Sequence, residues 1–503
     1  MKSMRLVALF LALALLFTAC GEDMLEAAAD GKTLIKVGII GEPATLDPQG
    51  GTLITQAEVA VNIYDTLISQ NTVTGEIEPR LATSWQQVDD YTMRFTLRQD
   101  VYFHNGEHFT AEDVIYTLKR ATTSPASKSL LTPFDAENSK IIDDYTVEIK
   151  LKSKFAAALA YLGNQRCYIV NQKAVEEYGD KFGRNPVGTG PYKFISWNVG
   201  DRIVMEANEK YWGKQPPIQR AEFRFITDSG IMAIELEAGE LDFIYVVGSE
   251  DYERLNDAPD INVFVGPGFT HESLYFNMKA EMYADVKVRM ALTYALDVPA
   301  LVKAVFGDLA KPADSVFSST IFGHTVIGPR KRDVAYAKKL LAEAGHPNGF
   351  DCEIMVPNNS ETLNMLEIAQ AMWKEAGINV KISSLDQATL KELNANGKNP
   401  FGRSNFTASS GDPDHALAAW SIGYTGVLQP SDENLNDMLR QGREEYDTTK
   451  RVQIYEKIQS YILDEKYYAI PLAFPYSTYA LRSNIKGFQF IPSQIQRLEE
   501  LSM

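Results

Sequence analysis

From Ile35 onward, the hydrophobic and polar positions of the chain switch repeatedly between two periods. The runs "IKVGII", "TMRFTLR", "YTVEIKL", "RIVMEAN", "RAEFRFIT", "LDFIYVV" and "SLYFNM" are short and rich in β-branched or aromatic residues, which predicts strands. The segments "AYAKKLLAEAG", "NMLEIAQAMWKEAG" and "RVQIYEKIQSYIL" carry apolar residues at helical spacing, and two of them end in glycine. Thr110-Ala111-Glu112-Asp113 fits a capping pattern ahead of "VIYTLKRA": a hydroxyl satisfies an orphan backbone N–H, and the acids suit the helix dipole. The Met and aromatic residues of these helices read as core. The pattern is mixed α/β, with no internal repeat, heptad run or low-complexity segment.

The opening segment follows neither period. Lys2 and Arg5 precede an uncharged apolar run, and small residues then lead to Cys20, the layout of a secretory signal over residues 1–19. Residues 6–19 fall short of the roughly 20 that a helix needs to cross the hydrocarbon core. Phe17-Thr18-Ala19-Cys20 resembles a bacterial lipobox, with Phe17 where leucine is usual. That resemblance implies lipidation of Cys20 and an acyl anchor that holds the body to a membrane face. The alternative is ordinary cleavage near Ala19. Residues 20–33 are small and charged and read as a tether.

Composition is ordinary for a large globular body: 45% hydrophobic, 23% charged and 11% aromatic over 503 residues. Without Lys2 and Arg5, the 49 basic residues become 47 against 66 acidic ones, a net charge of −19. Such a surface repels phosphate backbones, and with no basic cluster nucleic-acid binding is not expected. Beyond Cys20 only Cys167 and Cys352 remain, far apart, so a disulfide is allowed in an oxidising compartment but has no framework behind it.

Residues 76–120 read "EIEPRLATSWQQVDDYTMRFTLRQDVYFHNGEHFTAEDVIYTLKR". With "EPATLDPQ", "NPVGTGPYKFISWNVGDRIVMEANEKYWG" and "LYFNMKAEMYADVKVRMALTYALD" in the same order, this succession resembles the bacterial extracellular solute-binding proteins of the peptide and nickel class, family 5, which serve ABC importers. The resemblance implies a type II periplasmic-binding-protein fold, two lobes around a ligand cleft with an extra domain on the first lobe. The expected division is 34–70, 186–268 and 478–503 for a discontinuous first lobe, 71–185 for the extra domain and 269–477 for the second lobe. It further implies capture by hinge closure, a membrane permease and its ATPase as partners, a monomer, and a periplasmic or cell-surface location. On the residues alone, Asn105-Gly106 is a turn signal, and the glycines and prolines of "NPVGTGPYKF" suit a domain junction.

Candidate chemistry is sparse. His104 and His108 stand four apart, but Asn-Gly between them argues for a turn, and the six histidines form no ligand cluster with cysteine, so neither a metal site nor a cofactor is expected. A nickel chelate carried as ligand stays open. No Gly-x-Ser-x-Gly elbow nominates a nucleophile, and Asp412 and Asp414, neighbours in a turn, are poorly placed to face each other across a glycoside.

The segment "TASSGDPDHA", 407–416, resembles the family's cleft edge, usually written with an Asp-Pro or Glu-Pro step. In peptide-binding members an aspartate three residues before that step pairs with the ligand's free amino group, and a tryptophan stands two residues earlier. Here those positions carry Ser409 and Thr407. Either the ligand is not an ordinary free-amino peptide, or another acid such as Asp412 or Glu42 supplies the charge. Arg403 is a candidate to meet a ligand carboxylate bidentately. The remaining candidates are Thr45 beside Glu42, Thr270, His271 and Tyr275 at the entry to the second lobe, Ser410, and the aromatics Trp420 and Tyr424, which either stack on a ligand or belong to the core.

The expected function is therefore capture of short peptides or peptide-like solutes without catalysis. Two alternatives remain: a non-peptide solute such as a metal chelate, an opine-like compound or an oligosaccharide, and a secreted hydrolase on an unrelated α/β scaffold.

Overall fold

A computed structural model describes residues 32–71, 76–420 and 432–503; Cys20, the tether up to residue 31 and Tyr424 lie outside them. In the first lobe, Leu34–Ile40 pairs in parallel with Arg220–Ile226 on one side and Phe243–Ile244 on the other. Arg202–Ala207 and Tyr192–Asn198 extend this sheet in antiparallel fashion. Ile35, Val37, Ile39 and Phe223 are wholly buried, as parallel strands covered on both faces require. The predicted strand "LDFIYVV" is short, because only Phe243–Ile244 pairs before the chain leaves the sheet for the loop that reaches residue 251.

The second lobe is centred on Thr270–Phe276, which lies between Phe401–Thr407 and the strand Ala469–Arg482, with Phe350–Pro357 and Ile378–Leu385 beyond. Its core packs the helices Val286–Tyr294, Val298–Phe306 and Ser360–Glu375 on one face of the sheet. Trp373 is fully buried there and donates from Nε1 to the Leu292 carbonyl at 2.9 Å, so its indole N–H carries no desolvation penalty.

Ala469–Arg482 is shared between the lobes. Residues 469–473 pair with the second-lobe strand Thr270–Phe276, and residues 476–482 pair with the first-lobe strand Ile261–Pro267. Among the described residues, the lobes are thus joined by two adjacent crossings, Pro267-Gly268-Phe269-Thr270 and Phe474-Pro475-Tyr476. At the first, a Cβ on Gly268 would lie 2.5 Å from Ser477 Oγ, just past the second, so that hydroxyl would have to swing away.

The extra domain is a four-stranded antiparallel sheet, Ala82–Asp89, Thr92–Leu97, Thr146–Leu151 and Phe134–Asp143, covered by the helix Ala111–Thr123. Thr110 and Asp113 form the reciprocal cap that the spacing predicts. The core of this unit draws on residues from 67 to 169, whereas Tyr168, Val170, Ala174, Val175 and Phe182 pack into the first lobe. The segment 170–182, expected with the extra domain, therefore shares the core of the first lobe.

"NPVGTGPYKF" is the junction between the two. Cβ atoms on Gly188 and Gly190 would fall 2.1 and 2.7 Å from the Ile63 carbonyl oxygen, so the backbones meet only because both residues are glycine. His104 closes the same contact, its Nε2 3.0 Å from the Gly190 carbonyl oxygen, and burial holds it down to about 4, neutral. Asn105-Gly106 forms the expected turn, with Gly106 at φ +88°. No group of His, Cys, Asp and Glu suited to a metal ion occurs among the described residues, and Cys167 and Cys352 are free and buried in separate cores.

Candidate functional site

Between the lobes lies a cavity of about 810 Å³. Its first-lobe wall is Asp228, Ser229, Gly230 and residues 246–251; its second-lobe wall includes Thr270, Glu272, Glu361, Asn405 and Thr407; residues 475–478 of the shared strand line it at the crossing. The first-lobe wall sits just beyond the carboxyl ends of two strands that run parallel to Leu34–Ile40, where open α/β sheets leave a crevice for ligands.

On the second-lobe wall, the period of two decides which side chains face the cavity. Thr270 and Glu272 line it, as do their cross-strand neighbours Thr407 and Asn405, and the Thr270 and Thr407 hydroxyls lie 2.8 Å apart. His271 and Ser273 point to the opposite face, into a small separate space that Trp420 also lines. His271 is buried, its Nδ1 has no hydrogen-bond partner among the described residues, and desolvation lowers it to about 4. Tyr275 lies further along that opposite face, where its hydroxyl meets Asn394 and Asn399.

Arg403 is committed to neighbouring acids. Its Nη2 donates to Glu272 Oε1 at 2.6 Å and to Glu361 Oε1 at 2.9 Å, its Nε donates to Glu272 Oε2 at 3.2 Å, and Asn405 also donates to Glu272. Burial raises the Glu272 carboxyl against the pull of Arg403. The guanidinium expected to meet a ligand carboxylate thus supports the acids of the cavity wall.

The acids expected to replace the missing aspartate are also engaged elsewhere. Glu42 accepts from Trp197 Nε1 at 2.8 Å, from the Gly200 amide at 2.9 Å and from Arg184 at 3.2 Å, bracing the first lobe. Thr45 accepts from the Asp47 amide, and neither residue lines the cavity. Asp412 is buried and held at both oxygens by Arg451, at 2.8 Å each, while its Oδ1 also caps the short helix Pro413–Ala416. Asp414 accepts from Tyr161 and Arg443.

Ser410 bonds to His415, and Ser409 Oγ accepts from Asn164 of the extra domain at 2.9 Å. Trp420 is core, stacked on Tyr468 with centroids 6.4 Å apart. Of the ten ligand-contact candidates that fall among the described residues, only Thr270 lines this cavity.

The sequence reading missed Asp228, Glu250, Asp251 and Glu361. The signal that finds the first three is topological: "FITDSG" and "YVVGSED" place acids in the loops that follow strands of a parallel ladder.

Residues 76–426 match the sequence profile of the bacterial extracellular solute-binding proteins, family 5 (middle region). The chain belongs to this family. Its members are the binding proteins of ABC importers. Glutathione-binding protein GsiB of Escherichia coli K12 is 29% identical over 466 residues, covering 89% of this chain and 90% of that protein. The periplasmic binding protein DppA from Helicobacter pylori, solved with the peptide STSA, superposes with a TM-score of 0.83 at 26% identity, covering 94% of this chain and 98% of its own. AgaA of A. tumefaciens R10, solved with agropinic acid, gives 0.82 at 26%, covering 93% and 98%. The architecture is the type II binding-protein fold.

Proposed function

We propose that this protein captures short peptides or peptide-like solutes outside the cytoplasm, closes its two lobes over them, and delivers them to a membrane permease driven by its ATPase subunit. The observation that carries this reading is the inter-lobe cavity, bounded by both lobes and spanned by only two adjacent chain crossings among the described residues. A ligand there touches both walls only when the cleft is shut, so binding shifts the population toward the closed form, and the permease reads that form. No covalent step is required. The signal and lipobox-like sequence support anchoring through Cys20, with the body in the periplasm or at the cell surface.

The relatives that bind glutathione and a tetrapeptide favour the peptide-like class. Ser409 favours a second reading, a non-peptide solute of the opine type. It offers a neutral hydroxyl, already shared with Asn164, and AgaA, which holds agropinic acid, is as similar as the peptide-bound DppA.

A thermal-shift panel of dipeptides to pentapeptides, their N-acetyl forms, sugars, opines and nickel chelates tests the choice. Saturable stabilisation by peptides without turnover is expected. Stabilisation by opines, sugars or chelates alone defeats the peptide reading, and time-dependent conversion of a bound compound by pure protein defeats the transport reading.

A further inference from the structure

The described residues that line the inter-lobe cavity include five acids, Asp228, Glu250, Asp251, Glu272 and Glu361, and no lysine, arginine or histidine. Arg403 stands behind the last two, and Arg254 pairs with Asp251 and Glu237 outside the lining. Asp228 and Glu250 have no basic partner among the described residues. The wall of the cavity therefore carries more negative charge than the neighbouring cations answer.

Two glycines give this charge a focus. A Cβ on Gly230 would lie 3.2 Å from Asp228 Oδ1 and 3.6 Å from Asp251 Oδ2; one on Gly248 would lie 3.4 Å from that same Asp251 oxygen and 3.1 Å from Ser229 Oγ. All of these residues line the cavity, so side chains at either glycine would fill a space over which two carboxylates and a hydroxyl converge. Such spacing suits the N–H donors of an ammonium or guanidinium. The space adjoins the N-terminus of the helix Ser229–Glu237, whose partial positive charge would oppose a cation, but Asp228 already answers it: its Oδ1 accepts from the Ile231 amide.

We infer that the ligand carries a positively charged group, an amine or guanidine, which sits at Gly230 and Gly248 between Asp228 and Asp251. This rests on the reading of the cavity as the capture site and specifies the class of solute it takes. Glu272 and Glu361 face the same space from the other lobe, so a cation in the cavity also relieves the like-charge repulsion that opposes closure. Charge then couples recognition to the hinge.

The test is calorimetric titration of mature protein with three tripeptides: acetyl-Ala-Gln-Ala, which has no cation; Ala-Gln-Ala, with one at the terminus; and acetyl-Ala-Lys-Ala, with one on the side chain. Spermidine serves as a cation without a peptide bond. At least one of the cation-bearing probes binds tenfold or more tighter than acetyl-Ala-Gln-Ala, and the advantage shrinks as NaCl rises.

Two variants remove that advantage while the ligand-free Tm is retained: D228N/E250Q, which takes away one carboxylate of the site and the unpaired charge next to Asp251, leaves the Asp251–Arg254 pair intact and keeps a helix cap in the asparagine introduced at the first position, and G230A, which places a methyl in the space at a helical position that favours alanine. Equal binding of all three tripeptides, an advantage that survives both variants, or no binding by any cationic probe overturns the inference. Spermidine binding with no tripeptide binding leaves it standing and sinks the peptide reading instead; equal binding of the tripeptides does the reverse.

Discussion

Two groups of acids in this molecule differ in what answers them. Asp412 and Asp414, in the conspicuous run "TASSGDPDHA", are buried and met by Arg451 and by Arg443 with Tyr161. Asp228 and Glu250, in loops without a distinctive motif, have no basic partner among the described residues and face a cavity. A buried carboxylate engaged at both oxygens within the protein has nothing left for a ligand, whereas one left without a basic partner at a cavity wall is available. The contrast separates acids that hold the lobe together from acids that select what enters it.

The largest effect that sharpens this contrast is on stability. Arg451→Ala strands Asp412 as an unpaired buried charge and is expected to cost about 3–5 kcal/mol, read as a lower Tm and denaturation midpoint. A change within error would mean that Asp412 is not a structural acid. Arg403→Ala is expected to approach that cost, because Glu272 is as buried as Asp412 and loses its guanidinium partner. By contrast, D228N/E250Q is expected to leave Tm unchanged and to act on ligand affinity alone.

Acidity probes the paired region in a further way. Burial lowers His415 to about 4 from an unfolded value of 6.5. The unfolded chain therefore takes up that proton first, and the contribution of His415 to stability is present above pH 6.5 and lost as pH falls toward 4. His415→Asn keeps an acceptor near the position of Nδ1 and is expected to flatten the fall in Tm across that window; an unchanged slope would place the acid sensitivity elsewhere, His104 and His271 being the next candidates. The smallest effect belongs to Ser409→Ala, which removes one hydrogen bond to Asn164 worth roughly 0.5–1.5 kcal/mol and is expected to leave cation affinity intact.

Much of the scaffold was legible because strands and helices write their burial into a period. "RIVMEAN" and "YTVEIKL" became strands nearly to the residue, and Thr110 with Asp113 capped the helix it announced. The edge of the extra domain was not, because which core Tyr168 or Phe182 joins depends on packing between distant segments rather than on local pattern.

The site was less legible for the same reason. Thr270 and His271 look equivalent in sequence, yet the pleat sends one to the cavity and the other away from it. Nothing near Asp412 announces Arg451, 39 residues on, and the acids of "TDSG" and "GSED" resemble any solvated loop until the parallel ladder puts them at the crevice.

The central claim is that a cation held by acids on one wall draws the other wall over it. Small-angle scattering of the mature protein, alone and saturated with whichever cationic probe binds, measures this directly. The account predicts a smaller radius of gyration in the bound state; a bound state with an unchanged radius of gyration would contradict it.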